Sequence, residues 1–187
     1  MINKGETITN TTREKIALLE EEHDIELSTT QKILLSLKGP VTTILDVLYG
    51  TVNLFVLDQH LEEANENISE LIDIDESATI YHREVIVHKN GRPLVYAKSY
   101  IPTSRCSDKV IKDLHQSHLT TGSIMEKNNI ETLRLINEIS IEEPNELLKE
   151  LFHTNELMIT RRYVMVHHKK PVIWTEEKYP ISYFRED

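Results

Sequence analysis

Residues 83–104 read REVIVHKNGRPLVYAKSYIPTS, and residues 161–182 read RRYVMVHHKKPVIWTEEKYPIS. An offset of 78 residues lays Arg83 on Arg161, Pro93 on Pro171, Pro102 on Pro180 and Ser104 on Ser182. In both copies an apolar strand, a polar turn and a second apolar strand follow in step, which is the pattern of a β-hairpin. Asn90-Gly91 is a strong two-residue turn signal in the first copy. Two related hairpins can share one sheet and present side chains to one pocket, so functional residues are sought there.

Working outward, TVNLFVLDQH is β-rich, and ETLRLINEISI reads as a further strand. Six strands are predicted, at 52–60, 79–89, 93–101, 131–141, 157–168 and 171–179. Apolar positions at helical spacing predict helices over 11–22, from Ser28 or Thr29 to Leu37, and over 41–49, with Lys38-Gly39-Pro40 as the break between the last two. Shorter helical turns follow Ser107, the Thr120-Thr121-Gly122 loop and Pro144. The acidic stretch after residue 60 is anchored by Leu71, Ile72 and Ile74. The expected class is α+β: a six-stranded, mainly antiparallel sheet with helices packed against it. At 187 residues the chain is expected to form a single domain over 1–187, with a frayed segment 1–10, a helical part 11–50 and a sheet core 51–187.

The formal net charge of −10 argues against a nucleic-acid surface, although a small anionic ligand needs only one or two local arginines. No apolar run is long enough to cross a membrane, and the first residues lack the apolar core of a secretory signal. One cysteine, Cys106, fits a reducing, cytoplasmic setting, and reads as a small buried side chain rather than a nucleophile. Nine histidines bring no metal framework: His115 and His118, or His167 and His168, stand without further ligands, so no metal is expected. No phosphate loop, dinucleotide fingerprint or GxSxG motif is present.

Arg83 interrupts an apolar strand on the face of Val85 and Val87. Such an arginine is either compensated by an internal ion pair, or reaches water at the strand end, or grips a ligand carboxylate. Glu176 and Glu177 are adjacent on a strand and face opposite ways. Alternation alone does not say which one enters a pocket.

The ordered succession of LLSLKGPVTTIL, the first hairpin, LTTGSIMEK and the second hairpin resembles the chorismate pyruvate-lyase family, including its archaeal and cyanobacterial branch. The sister group is the ligand-binding (UTRA) domain of GntR-type transcription regulators. The resemblance covers about 31–184 and implies a chorismate lyase-like fold. It implies that Arg83 holds a substrate carboxylate. It implies that Glu176, four residues before Pro180, is the active-site glutamate in preference to Glu177. Val41 stands in the lid region in place of the usual Met, beside Thr42; Ala97 replaces a pocket glycine; Thr121 and Gly122 fall on the turn that closes over the ligand. The implied activity is a cofactor-free cleavage of chorismate to 4-hydroxybenzoate and pyruvate. The implied partner is a small molecule, chorismate or a related carboxylate, and oligomeric state is left open. The alternatives are a non-catalytic effector-binding domain and a lyase-fold enzyme acting on another aromatic or dicarboxylate ligand. A regulator would carry a DNA-reading module in front, and the acidic residues before position 31 do not fit one.

Overall fold

The computed structural model describes residues 11–116 and 118–185. The expected frayed segment 1–10 lies outside the described residues. Three helices come first: α1 (Thr12–His23), α2 (Thr29–Ser36) and α3 (Val41–Tyr49). The first two begin with reciprocal capping boxes, Thr11 with Glu14 and Ser28 with Gln31, which satisfy backbone N–H groups that a helix start leaves unpaired. Gln31 is fully buried, and its amide donates to the carbonyls of Ile181 and Tyr183 at 2.9 and 2.8 Å, tying α2 to the end of the chain. Pro40 precedes α3, and Gly50, at φ +70°, ends it in a conformation that favours glycine.

Six strands follow: β1 (Asn53–Glu63), β2 (Thr79–Lys89), β3 (Arg92–Pro102), β4 (Leu133–Glu142), β5 (Met158–His167) and β6 (Lys170–Pro180). They form one antiparallel sheet in the order β1-β2-β3-β6-β5-β4. The order is symmetric about the β3–β6 contact, so the sheet consists of two three-stranded halves. The repeat extends to the irregularities. The β2–β3 ladder shifts register between Val87 and His88, and the β5–β6 ladder shifts at the corresponding Met165 and Val166. The outer strands match as well, with shifts at Val56/Asp58 and Ile136/Glu138.

Helices cover both faces. On the front face α1, α2 and α3 pack through Ile16, Leu19, Leu34, Leu35 and Leu45 on Val87, Val95, Ile159 and Tyr179. Beside them α5 (Asp108–Gln116) and α6 (Thr121–Lys127) pack through Val110, Leu114, Ile124 and Met125 on Tyr81, Tyr163 and Ile173. On the back face α4 (Glu66–Ile72) buries Ile68 and Ile72 against Ile80 and Trp174, while α7 (Glu146–Phe152) buries Leu148 and Phe152 against Ile86 and Tyr96. Helix α4 falls in the stretch where only apolar anchors were expected: seven residues give too few turns for a periodic pattern, and the Asn65 side chain, accepting from the Ile68 N–H, starts it. Leu45 is fully buried, and Leu45→Ala would cost about 2–5 kcal/mol. No helix among the described residues is long and apolar enough to cross a membrane.

Candidate functional site

The two front-face cores leave a cavity of about 40 Å³ between them. Its floor is the middle of the sheet, and Pro40, Val41 and the Thr120–Gly122 turn cover it. That volume holds only a few waters at about 10–15 Å³ each, so an organic ligand enters only if the cover gives way.

Arg83 lines the cavity and is 1% exposed. Strand alternation puts it on the face of Val85 and Val87, as expected, and its Nη1 donates to the Leu119 carbonyl at 2.8 Å. Its cross-strand neighbours are Gln59 and Ser99. Burial lowers its pKa from the ordinary value, in part offset by Tyr81, and an arginine remains charged.

A second arginine, Arg134 on β4, also lines the cavity and is 5% exposed. Its Nη1 donates to the Gly39 carbonyl, its guanidinium lies 4.5 Å from the Tyr163 ring centroid, and its Nε has no hydrogen-bond partner. Among the described residues no carboxylate forms an ion pair with it. In the sequence Arg134 is flanked by Leu133 and Leu135, an apolar pair that gives no sign of a buried charge between them. They are 54% and 45% exposed, and the arginine is the residue that points in.

The glutamate on the cavity is Glu177, not Glu176. Glu177 is cross-strand to Ala97 and Arg161; Glu176 is cross-strand to Lys98 and Arg162 and faces the back of the sheet. There Glu176 accepts from Arg162 at 2.6–2.7 Å and lies 3.5 Å from Lys178 and 3.8 Å from Lys98. Arg83 and Glu176 therefore do not share a pocket. The reason is the irregularity beside the turn. Counted back from the His168-Lys169 turn without it, Arg161 would stand opposite Glu176; the extra residue, Val172, moves the register by one and brings in Glu177. Glu177 is 6% exposed, accepts from Arg161 Nε at 3.1 Å and from the Tyr163 hydroxyl at 2.8 Å, and forms a close ion pair with Arg161 Nη2. Burial, and then Glu177, raise the Tyr163 pKa, so the phenol stays protonated and donates.

Of the other expected site residues, Val41, Ala97, Thr121 and Gly122 line the cavity. Thr42 does not: it borders a separate surface groove with Asp46, Val52 and His118, because the next residue of a helix points about 100° away. Apolar walls come from Val85, Val87, Val95 and Met165. Cys106 sits outside, its thiol pKa pushed up to about 11 by burial, which suits a structural thiol and not a nucleophile.

The site thus offers two buried guanidiniums, one carboxylate already engaged by a third arginine, and apolar walls under a two-part cover. A relative in sequence carries a lyase name. The chain is 32% identical over 149 residues to "Putative lyase MJ0807" of Methanocaldococcus jannaschii, covering 76% of this chain and 73% of that protein. Among solved structures, a GntR-family transcriptional regulator from Bacillus cereus aligns with TM-score 0.60 at 14% identity, over 73% of this chain and 96% of that one. The effector domain of PhnF from Mycobacterium smegmatis aligns with TM-score 0.63 at 13% identity, over 76% and 88%. These likenesses are of fold. The family model described as "Chorismate pyruvate-lyase Rv2949c-like" matches residues 35–185, and the chain belongs to that family.

Proposed function

We propose that the protein cleaves chorismate to 4-hydroxybenzoate and pyruvate without a cofactor, in the front-face cavity. The observation that carries the proposal is the placing of Arg83 and Arg134 on one small, apolar-walled cavity. Chorismate has two carboxylates, one on the ring and one on the enolpyruvyl group, and each can take a charge-assisted hydrogen bond from a guanidinium. The C3–O ether bond breaks, the C4–H proton leaves, and the enolpyruvate takes a proton to become pyruvate. Aromatisation of the ring drives the step. The protein then needs to orient the substrate, exclude water and stabilise charge growing on the departing enolpyruvate. Arg83 and Arg134 supply fixed positive charge for the carboxylates. Glu177, held by Arg161 and Tyr163, is a placed acceptor for the ring hydroxyl. The preorganised ties on Glu177 mean that little reorganisation is required when substrate arrives.

A second reading follows from the fold likeness to regulator effector domains: the cavity binds a carboxylate effector and does no chemistry. Purified protein incubated with chorismate distinguishes the two. Pyruvate is read through lactate dehydrogenase and NADH oxidation. Release well above the uncatalysed background, unchanged by EDTA, is expected. Saturable chorismate binding with no pyruvate above background would favour the effector reading.

A further inference from the structure

The back face of the β1–β2 half carries Asp58, His60 and Glu62 on alternate positions of β1, beside His82 and Glu84 on β2. In the ladder Asp58 stands opposite Glu84, and His60 opposite His82. The two imidazoles are tilted with centroids 4.8 Å apart. Glu62 reaches both: its oxygens lie 2.9 Å from His82 Nδ1 and 3.7 Å from His60 Nε2. Each imidazole has its other nitrogen beside a second carboxylate, His82 Nε2 at 3.0 Å from Glu84 and His60 Nδ1 at 3.1 Å from Asp58.

The other half of the repeat shows what this arrangement lacks. There Glu138 and Glu142 occupy the places of Asp58 and Glu62, and Arg162 occupies the place of Glu84. Arg162 sits between the acids, pairing with Glu138 at 2.8 Å and with Glu142 at 2.6 Å. In the first half that internal cation is replaced by a third acid, and Ser140 and Thr160 by His60 and His82. Among the described residues no Lys or Arg forms an ion pair with Asp58, Glu62 or Glu84. Three carboxylates therefore surround two imidazoles, where the twin site is neutralised by an arginine.

We propose that His60 Nε2, His82 Nδ1 and a carboxylate oxygen of Glu62 bind a divalent first-row transition-metal cation of the zinc class, with Asp58 and Glu84 holding the far imidazole nitrogens. Two imidazoles and a carboxylate suit Zn²⁺, Ni²⁺ or Co²⁺ rather than Mg²⁺ or Ca²⁺, which prefer all-oxygen ligands. The three ligand atoms lie within 4.8 Å of one another. A cation bound at about 2.0–2.1 Å spaces its ligands by roughly 3–3.5 Å, so a modest turn of His60, whose side chain is 44% exposed, closes the site. Carboxylates on the outer nitrogens set the tautomer that points the inner nitrogens at the metal. Solvent fills the remaining positions. The cation would fasten edge strand β1 to β2 by side chains as well as by the ladder. The site is on the opposite face from the cavity and does not depend on the reaction proposed there. A scan of sequence for metal frameworks misses it because the ligands meet only across two strands.

The test uses the full chain, stripped by chelator and dialysed, at neutral pH. Zn²⁺ is titrated calorimetrically, and Co²⁺ by its visible absorption. One equivalent of Zn²⁺ is expected to bind and raise Tm. His60→Ala, on an exposed side chain whose loss leaves the fold intact by circular dichroism, is expected to abolish both effects, as are Glu62→Gln and His82→Ala. Asp58→Asn is expected to weaken binding by about 10–100-fold, while the double change His167→Ala and His168→Ala leaves it unaltered. The proposal is overturned if no Zn²⁺ binds, if binding survives His60→Ala, or if equimolar Mg²⁺ displaces it.

Discussion

Arg83 and Arg161 hold the same place in the two hairpin copies, and both are almost wholly buried on the front face. Their cross-strand neighbours differ. Ser99 stands opposite Arg83, and Glu177 opposite Arg161. Burial works against the charge of each. At Arg161, Glu177 and Tyr163 more than offset burial and the pKa rises; at Arg83 burial prevails and the pKa falls. Arg161 also donates to the carbonyls of Leu34 and Leu37 at 2.5 and 3.0 Å, fixing the end of α2 to the sheet. One scaffold position thus serves once as a structural tie and once as a charged wall of a cavity. Whether the facing residue is a carboxylate or a hydroxyl decides between the two uses.

The largest effects should separate the two arginines. Arg161→Met leaves the Glu177 carboxylate buried without its principal partner, and should cost about 3–5 kcal/mol of unfolding free energy. Arg83→Met faces neutral Ser99 and should cost less stability. It should instead lower kcat/KM for chorismate by roughly two to three decades, about 3–4 kcal/mol. Urea unfolding and the pyruvate assay on both variants would show whether the effects divide this way; equal loss of stability would break the comparison.

The back-face cluster of the second half should titrate. Burial raises the Glu142 carboxyl, but hydrogen bonds from Lys178, Ser140 and Arg162 outweigh it and bring the pKa from the ordinary 4.5 to about 2. A depressed carboxyl adds stability above its unfolded pKa and loses it as pH falls toward the folded value. Unfolding free energy should therefore drop between about pH 4.5 and 2, with Glu142 accounting for roughly 2–3 kcal/mol. Glu142→Gln should flatten that slope.

Arg134 should matter to the ligand rather than to the fold. Arg134→Ala should raise KM for chorismate and lower kcat/KM by roughly tenfold to a hundredfold, about 1.4–2.7 kcal/mol, with Arg134→Lys recovering part. The smallest effect is expected at Gly122, where an added Cβ would come within 3.3 Å of Arg134 Nη2. The flexible guanidinium can shift by a few tenths of an ångström, so Gly122→Ala should change kcat/KM by only about threefold, or roughly 0.6 kcal/mol.

Much of this was legible in the chain. The offset repeat, the Asn90-Gly91 turn and the β-rich runs TVNLFVLDQH and ETLRLINEISI placed the six strands within about three residues, and alternation put Arg83 on the inner face. The identity of the inward glutamate was not legible. It turns on an extra residue next to a hairpin turn, Leu94 in one copy and Val172 in the other, and no composition rule marks such a residue. Arg134 was hidden by flanking leucines that proved to be the exposed ones. Helix α4 was too short for periodicity to register. In each case the deciding contact lies across strands or between elements, where local pattern has no reach.

The most direct test compares both faces of the sheet in one assay. Pyruvate release from chorismate is measured for the unmodified protein, Arg83→Ala on the cavity face and Glu176→Gln on the back face, with folding checked for each. The account predicts turnover by the unmodified protein, retention within about threefold in Glu176→Gln, and a loss of roughly a hundredfold or more in Arg83→Ala. No turnover by the unmodified protein, or a loss in Glu176→Gln as deep as in Arg83→Ala with both variants folded, would contradict it.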